Sequence, residues 1–216
     1  MEIIDERIDG GKAFDWGKTS KDYAMYRDIS PEQIEQAEQL AKAAGMNIRF
    51  QAEATENLNF PVESFDVITA CQCFWYFDHE RVIPYLAKLL KPNGRLLILY
   101  MAWLPYEDAI AGASEELALK YNPEWTGAGE TRHPIWIPDV TYRYFELEDH
   151  EEYDVMVPFT RESWHGRMKA CRGVGASLSD EELLAWENEH KELLMEKAPE
   201  KFEVRHYAAL AVLKKK

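Results

Sequence analysis

Phe60-Pro-Val-Glu-Ser-Phe-Asp-Val-Ile-Thr-Ala-Cys-Gln-Cys-Phe-Trp-Tyr-Phe-Asp-His79, continued by Leu89-Leu-Lys-Pro-Asn-Gly-Arg-Leu-Leu-Ile-Leu-Tyr-Met-Ala-Trp-Leu104, is the stretch whose reading decides the fold. Two short apolar runs, 66–71 and 95–104, flank a segment in which Val82, Ile83, Leu86, Leu89 and Leu90 share one helical face. A strand, a crossover helix and a parallel strand account for this pattern, with both faces of the sheet covered. Asp78 can cap a turn before a helix that Pro84 starts, and Pro92-Asn93-Gly94 supplies turn chemistry ahead of the second run.

Upstream, Ser30 offers an N-cap, Pro31 suits the first helical position, and Gln33 completes a capping-box pattern. Ile34, Ala37, Leu40, Ala41 and Ala44 then form an apolar stripe that Gly45 stops, and residues 48–52 alternate as a strand. Residues 1–29 have weak periodicity and read as an arm with a short helix. Downstream, Tyr106 to Tyr121 predicts an amphipathic helix, and 122–142 is a loop carrying Trp125, His133 and Trp136. A long aromatic loop in a compact domain is more often a pocket wall than a linker. Phe145 to Phe159 reads as extended and Thr160 to Arg172 as helical. Ser179 with Glu182 opens another helix, and Phe202 to Leu213 is a final strand.

With 216 residues and 46% apolar content the chain can bury one sizeable core. Its 39 acidic and 25 basic residues give a formal charge of −14. A field of that sign repels phosphate backbones and anionic headgroups, which excludes nucleic acid and membrane as expected partners. Cys71, Cys73 and Cys171 make no even disulfide framework, the N-terminus is acidic, and no apolar run approaches a membrane span, so a cytoplasmic protein is expected. Cys71-x-Cys73 with Cys171 offers thiolates to a soft metal or an arsenical, but the spacing is weak and two residues on one strand face are more often core. No metal site is expected.

Several segments resemble S-adenosylmethionine-dependent methyltransferases of the class I, Rossmann-like type, small-molecule branch. Asn57-Leu-Asn-Phe-Pro-x-x-Ser-Phe-Asp66 looks like the loop into that family's fourth strand, and Lys91-Pro-Asn-Gly-Arg-Leu96 like the turn into its fifth. Phe159-Thr-Arg-Glu-Ser-Trp-His-Gly-Arg167 is similar to its substrate-side helix, and Tyr23-Ala-x-Tyr-Arg27 to the arm that closes over the cofactor. The resemblance implies an α/β fold, a Rossmann-like methyltransferase sheet flanked by helices. The implied organisation is one domain, with 1–29 an N-terminal arm, 30–104 the remaining βαβ core, and 105–216 substrate-side helices and C-terminal strands.

The family's diagnostic glycine-rich loop after its first strand has no counterpart here. Gly127-x-Gly129 and Gly173-x-Gly175 follow a helix or lie in a loop. Tyr26-Arg27 runs directly into Asp28-Ile-Ser-Pro31, and Asp28 matches the end of the family's second strand. The expected fold is therefore truncated by loss of the first two strands. That loss would turn the strand at 66–71 from a central into an edge strand, and an unpaired apolar edge needs cover. A homodimer through this edge is expected.

The resemblance places Tyr26, Arg27 and Asp28, Glu53, Ala54 and Thr55, and Cys71, Gln72 and Cys73 beside the cofactor, S-adenosylmethionine. His79, His133 and His165 can each supply a base, since imidazole titrates near neutrality; His165 and His79 are the catalytic candidates. Trp75, Tyr76, His133, Trp136, Trp164 and Arg167 are the substrate-wall candidates. The implied function is methyl transfer to an N, O or S atom of a small molecule. The alternative is a non-catalytic dimeric binding or scaffold protein that kept the substrate half of the fold.

Overall fold

The structure, a computed structural model, describes residues 2–3, 14–15, 31–51 and 53–216, with side chains from Ile34 onward except Ala52. Tyr26, Arg27, Asp28 and the Ser30 cap lie outside the described residues.

The elements are β1 (Glu2–Ile3) and β2 (Phe14–Asp15), an antiparallel pair; α1 (Pro31–Ala43); and β3 (Phe65–Cys71). Then come α2 (His79–Leu89), β4 (Leu90–Trp103), α3 (Ala109–Tyr121) and β5 (Phe145–Thr160). α4 (Arg161–Lys169), α5 (Asp180–Lys197) and β6 (Lys201–Lys215) complete the chain. β3 to β6 form a four-stranded open sheet in the order β3-β4-β6-β5. Among the described residues no helix is long and apolar enough to cross a membrane.

β3 and β4 pair in parallel, with Val67 opposite Arg95 and Cys71 opposite Leu99, so the strand–helix–strand reading holds. Phe65 sits opposite Leu90 and Val67 opposite Arg95, so four residues of β4, 91–94, face Asp66 alone and three of them are extra. Asn93 takes φ 63° in that stretch, and a Cβ on Gly94 would lie 2.9 Å from the Lys91 carbonyl oxygen. The Pro-Asn-Gly turn therefore survives as an irregularity inside one long strand.

β3 is an edge strand, and only Ala70 on it is buried. Val67 is 48% exposed, and Asp66, Thr69 and Cys71 are exposed with it. The expectation of a strand covered on both faces is corrected here, because Val67, Thr69 and Cys71, which share one face, are exposed. Separately, β4 pairs with one edge of β3 and no strand pairs with the other among the described residues.

Two more local expectations change. α2 begins at His79, not at Pro84, because the Asp78 carbonyl accepts from the amides of Arg81 and Val82 and starts the first turn earlier. Pro84 then sits in the second turn, where a missing N–H forfeits a single helical bond. Residues 48–51 form no strand; Ala52 lies outside the described residues. Alternation alone does not make a strand without a neighbour to pair with.

Other boundaries follow their caps. α1 ends before Gly45 at φ 65°. The α5 capping box forms as expected, with the Ser179 hydroxyl accepting from the Glu182 amide and the Glu182 carboxylate accepting from the Ser179 amide. α3 gains a cap the sequence reading missed, as Asp108 Oδ1 accepts from the amides of Ile110 and Ala111.

The chain groups into two compact units, each assembled from three separate segments. Unit 1 takes residues 1–52, 103–131 and 156–205; unit 2 takes 53–102, 132–155 and 206–216. The core of unit 1 gathers Trp103, Trp125, Trp164, Met168, Val174, Trp186 and Leu194. Gly173 lies directly under the Trp125 indole: a Cβ there would meet the ring at 2.2 Å, and one on Gly127 would meet Trp125 Nε1 at 2.6 Å. Both Gly-x-Gly pairs thus contribute a glycine that makes room for one tryptophan. Gly173→Ala is expected to destabilise the protein by about 1–3 kcal/mol through overpacking, read as a lower urea midpoint at unchanged slope. An unchanged midpoint would contradict this packing.

Candidate functional site

The carboxyl ends of the parallel pair β3 and β4 carry the aromatic side chains of unit 2. Ligands of open α/β sheets bind outside such ends. After Cys71 the chain leaves the sheet through Gln72, held at φ 62°. Gln72 Nε2 donates to the Met101 carbonyl at 2.6 Å, and its Oε1 accepts from the Met101 amide at 2.9 Å. This cross-strand clasp fixes where the following turn starts.

That turn, Phe74–Tyr76, sends Phe74 into the core and leaves Tyr76 78% exposed. Trp75 Nε1 donates to the Trp136 carbonyl at 3.1 Å, and the Trp75 ring meets Tyr100 edge-on at 5.5 Å. Tyr100 packs on His133 at 4.8 Å, and the His79 ring meets Trp136 at 5.8 Å. Trp75, His79, His133 and Trp136, four residues singled out from the sequence, thus belong to one aromatic wall in unit 2, and Tyr76 follows Trp75 in the chain with its side chain exposed.

The wall has anchors that sequence reading missed. The Tyr207 hydroxyl lies 2.6 Å from the His133 carbonyl oxygen and 2.7 Å from Glu152 Oε2, and His150 Nε2 lies 2.8 Å from Glu152 Oε1. Burial, reinforced by Glu152, pushes the Tyr207 phenol well above its ordinary pKa, so it stays protonated. Arg132 grips Asp154 with two bonds, at 2.8 and 2.6 Å. These contacts tie the loop bearing His133 to β5 and β6. The only sequence signal was polar residues on strands, a pattern shared with any solvated face.

His79 Nε2 stands 3.0 Å from the Phe74 carbonyl oxygen, which can only accept. Nε2 therefore carries the proton of the neutral ring, and Nδ1 is the lone-pair nitrogen.

Trp164, His165 and Arg167 lie on α4 in unit 1, and their surroundings are those of a core. Trp164 is fully buried, and its Nε1 donates to Ser114 Oγ at 3.0 Å. Ser114 Oγ donates to the Ile110 carbonyl at 2.7 Å, so His190 Nε2, 3.1 Å away, must donate to it. His190 Nδ1 is then an acceptor, and His165 Nδ1 donates to it across 2.9 Å. Burial lowers His165 to a pKa of about 4, helped by Lys191, and burial lowers His190 to about 3. Both rings stack on Trp186. The Arg167 guanidinium lies over the Trp103 ring at 4.7 Å. On the same side of unit 1, Glu115 accepts from Trp103 Nε1 and from the Gly129 amide, and burial raises its pKa.

Local bonds hold the segment that carries Glu53, Ala54 and Thr55, three of the expected cofactor residues. Glu53 Oε1 accepts from Asn57 Nδ2 at 3.1 Å, across the turn Thr55–Asn57 that Ala54 precedes. Glu56 Oε1 accepts from the Asp78 amide at 3.1 Å, and the Tyr85 hydroxyl donates to the Leu58 carbonyl at 2.7 Å. Cys71 is exposed, Cys73 half-buried and Cys171 buried. Among the described residues no group of three or more His, Cys, Asp or Glu could hold a metal.

Comparison with known proteins gives this arrangement its class. The methyltransferase-domain family matches residues 11–98. An uncharacterized methyltransferase of Bacillus subtilis, YcgJ, is 36% identical over 74 residues, 33% of this chain and 29% of that protein. A demethylmenaquinone methyltransferase of Thermus thermophilus is 34% identical over 73 residues, 33% of each. The aligned part spans about a third of the length of these curated relatives. A solved structure of a candidate type II methyltransferase from Anaeromyxobacter dehalogenans is 17% identical with a TM-score of 0.50, covering 87% of this chain and 77% of that one. This last likeness shows the fold alone. The chain is related to the class I, Rossmann-like, S-adenosylmethionine-dependent methyltransferases, through its matching segment 11–98.

Such a cofactor needs a glycine turn after a strand, where backbone can approach it closely. Among the described residues β3 leads instead into Gln72 and Cys73, and the Gln72 amide is closed on Met101. Gly127 and Gly173 are both packed against Trp125. The described residues do not make the cofactor's cradle.

The histidine pair sets a pH dependence. Both folded-state pKa values lie below the ordinary 6.5, so the stability they contribute is complete above about pH 6.5 and is lost as pH falls toward 4 and then 3. Glu115 acts with the opposite sign, since its raised pKa means stability lost as pH rises. His190→Gln keeps a donor for Ser114 and an acceptor for His165 without titrating. Between pH 6.5 and 4 the wild type is expected to lose on the order of 1–3 kcal/mol more unfolding free energy than this variant. Parallel profiles would contradict the assignment.

Proposed function

We propose that the protein is a small-molecule methyltransferase of this family, in which the aromatic wall of unit 2 holds the acceptor whose N, O or S atom receives the methyl group. The observation that supports the reading is the grouping of Trp75, His133 and Trp136 beside Tyr100 near the carboxyl ends of the parallel pair. His79 is the acid–base candidate of the wall. His165 is the poorer candidate, because its ring is bonded to His190 and its pKa is held near 4. Trp164 and Arg167 serve the core of unit 1 in this reading. S-adenosylmethionine is the donor that the family implies, with Tyr26 to Asp28, Glu53 to Thr55 and Cys71 to Cys73 as the positions proposed to face it.

A second reading is favoured by the closed Gln72 amide and by the lack of a glycine turn after a strand among the described residues: a non-catalytic binding protein that kept the acceptor wall. Calorimetric titration with S-adenosylmethionine and its demethylated product separates the two. The enzyme reading expects micromolar binding, and no detectable heat at high protein concentration would sink it.

Two features of β3 among the described residues support a homodimer: its edge position, and the exposure of Val67, Thr69 and Cys71 on one face beside that edge. Light scattering at micromolar concentration is expected to return twice the chain mass, and Val67→Lys is expected to shift the protein toward monomer. A monomeric wild type would refute the dimer. The charge of −14 supports a cytoplasmic protein with no nucleic-acid or membrane partner.

A further inference from the structure

Unit 1 carries a hollow of about 380 Å³ that shares no residue with the aromatic wall of unit 2. Phe159 and Thr160 line it from the end of β5, Ser163 from the first turn of α4, and Lys201, Phe202 and Glu203 from the start of β6. Its floor is apolar and held in place. The Phe159 ring meets the fully buried Trp164 edge-on at 4.9 Å and lies 6.5 Å from Phe202, and both phenylalanines pack against the core of unit 1. Ligand pockets run from about 300 to 1,000 Å³, so this one has room for a single ring and a short polar chain.

The polar groups of the hollow divide into those already spent and those still open. The Thr160 hydroxyl donates to Ser163 Oγ and the Ser163 hydroxyl to the Thr160 carbonyl, both at 3.2 Å, so the capping box leaves no hydroxyl hydrogen for a ligand. Arg161 and Glu200, adjacent in the chain to Thr160 and Lys201, are paired with each other at 3.5 Å. Lys201 and Glu203 are exposed, and neither has a hydrogen-bond or ion-pair partner among the described residues. Two apart on one strand, they share a side of β6, so opposite open charges flank one apolar floor. A ligand with a single charge would satisfy one of them and meet the like charge of the other, whereas a ligand with both satisfies the two.

We infer that this hollow binds a free aromatic amino acid, its ring against Phe159 and Phe202, its carboxylate on the Lys201 ammonium and its own ammonium on the Glu203 carboxylate. The ring adds aromatic contacts to two side chains that are in place before it arrives. Because the hollow uses no residue of the wall, the outcome is independent of the methyl-transfer reading.

Three probes of one shape test it in the absence of any methyl donor: L-phenylalanine, 3-phenylpropionate, which lacks the ammonium, and 2-phenylethylamine, which lacks the carboxylate. Calorimetry is expected to show phenylalanine binding about three- to tenfold more tightly than either single-charge probe. Lys201→Met should lower phenylalanine to the level of phenylethylamine without weakening that amine. Glu203→Gln should lower it to the level of phenylpropionate without weakening that acid. In the wild-type protein, the backbone amide resonances of 159–163 and 201–203 should move together as phenylalanine is added, a result that does not depend on any variant folding. Equal affinity for the three probes, no saturable binding of phenylalanine at millimolar concentration, or shifts that leave those two segments unmoved would overturn the inference.

Discussion

The parallel pairing of β3 on β4 is the constraint on which unit 2 depends. It sets Cys71 opposite Leu99, lets Gln72 clasp Met101, and so fixes the turn that presents Trp75 and Tyr76. The same pairing leaves the other side of β3 without a strand among the described residues. Parallel sheets are normally covered on both faces. Exposed Val67, Thr69 and Cys71 show that one face of β3 departs from this.

Much of this was legible in the sequence where local chemistry and pattern agree. The Ser179–Glu182 capping box, the Gly45 stop and the apolar runs around 66–71 and 95–104 all act through neighbours in the chain, and the elements follow. The strand expected at 48–52 failed because alternation needs a pairing partner that a sequence pattern cannot supply. The α2 start was displaced because the Asp78 carbonyl accepts the first-turn amides, which outweighs the preference of Pro84 for a first turn.

The site was half legible for a similar reason. Aromatic residues in a Pro- and Gly-rich loop announced a wall, and Trp75, His133 and Trp136 do join it. The Tyr207–Glu152–His150 anchor involves residues far apart in the chain with no shared motif, so nothing local revealed it. His165 shows the opposite error. Its neighbours match a substrate-side helix, yet Ser114, Trp164 and His190 engage it in a buried network where the neutral ring is the stable form. Composition could not distinguish a histidine facing a ligand from one that closes a core.

Among the described residues β3 has an open edge, and its proposed cover is a second copy of the chain. Hydrogen exchange of the amides at 66–71, followed as a function of protein concentration, tests it most directly. The account predicts that those amides pointing away from β4 exchange fast in dilute protein and become protected as concentration rises through the dimer range. Protection that is already complete in dilute protein would mean that the chain covers its own edge, and would contradict the claim.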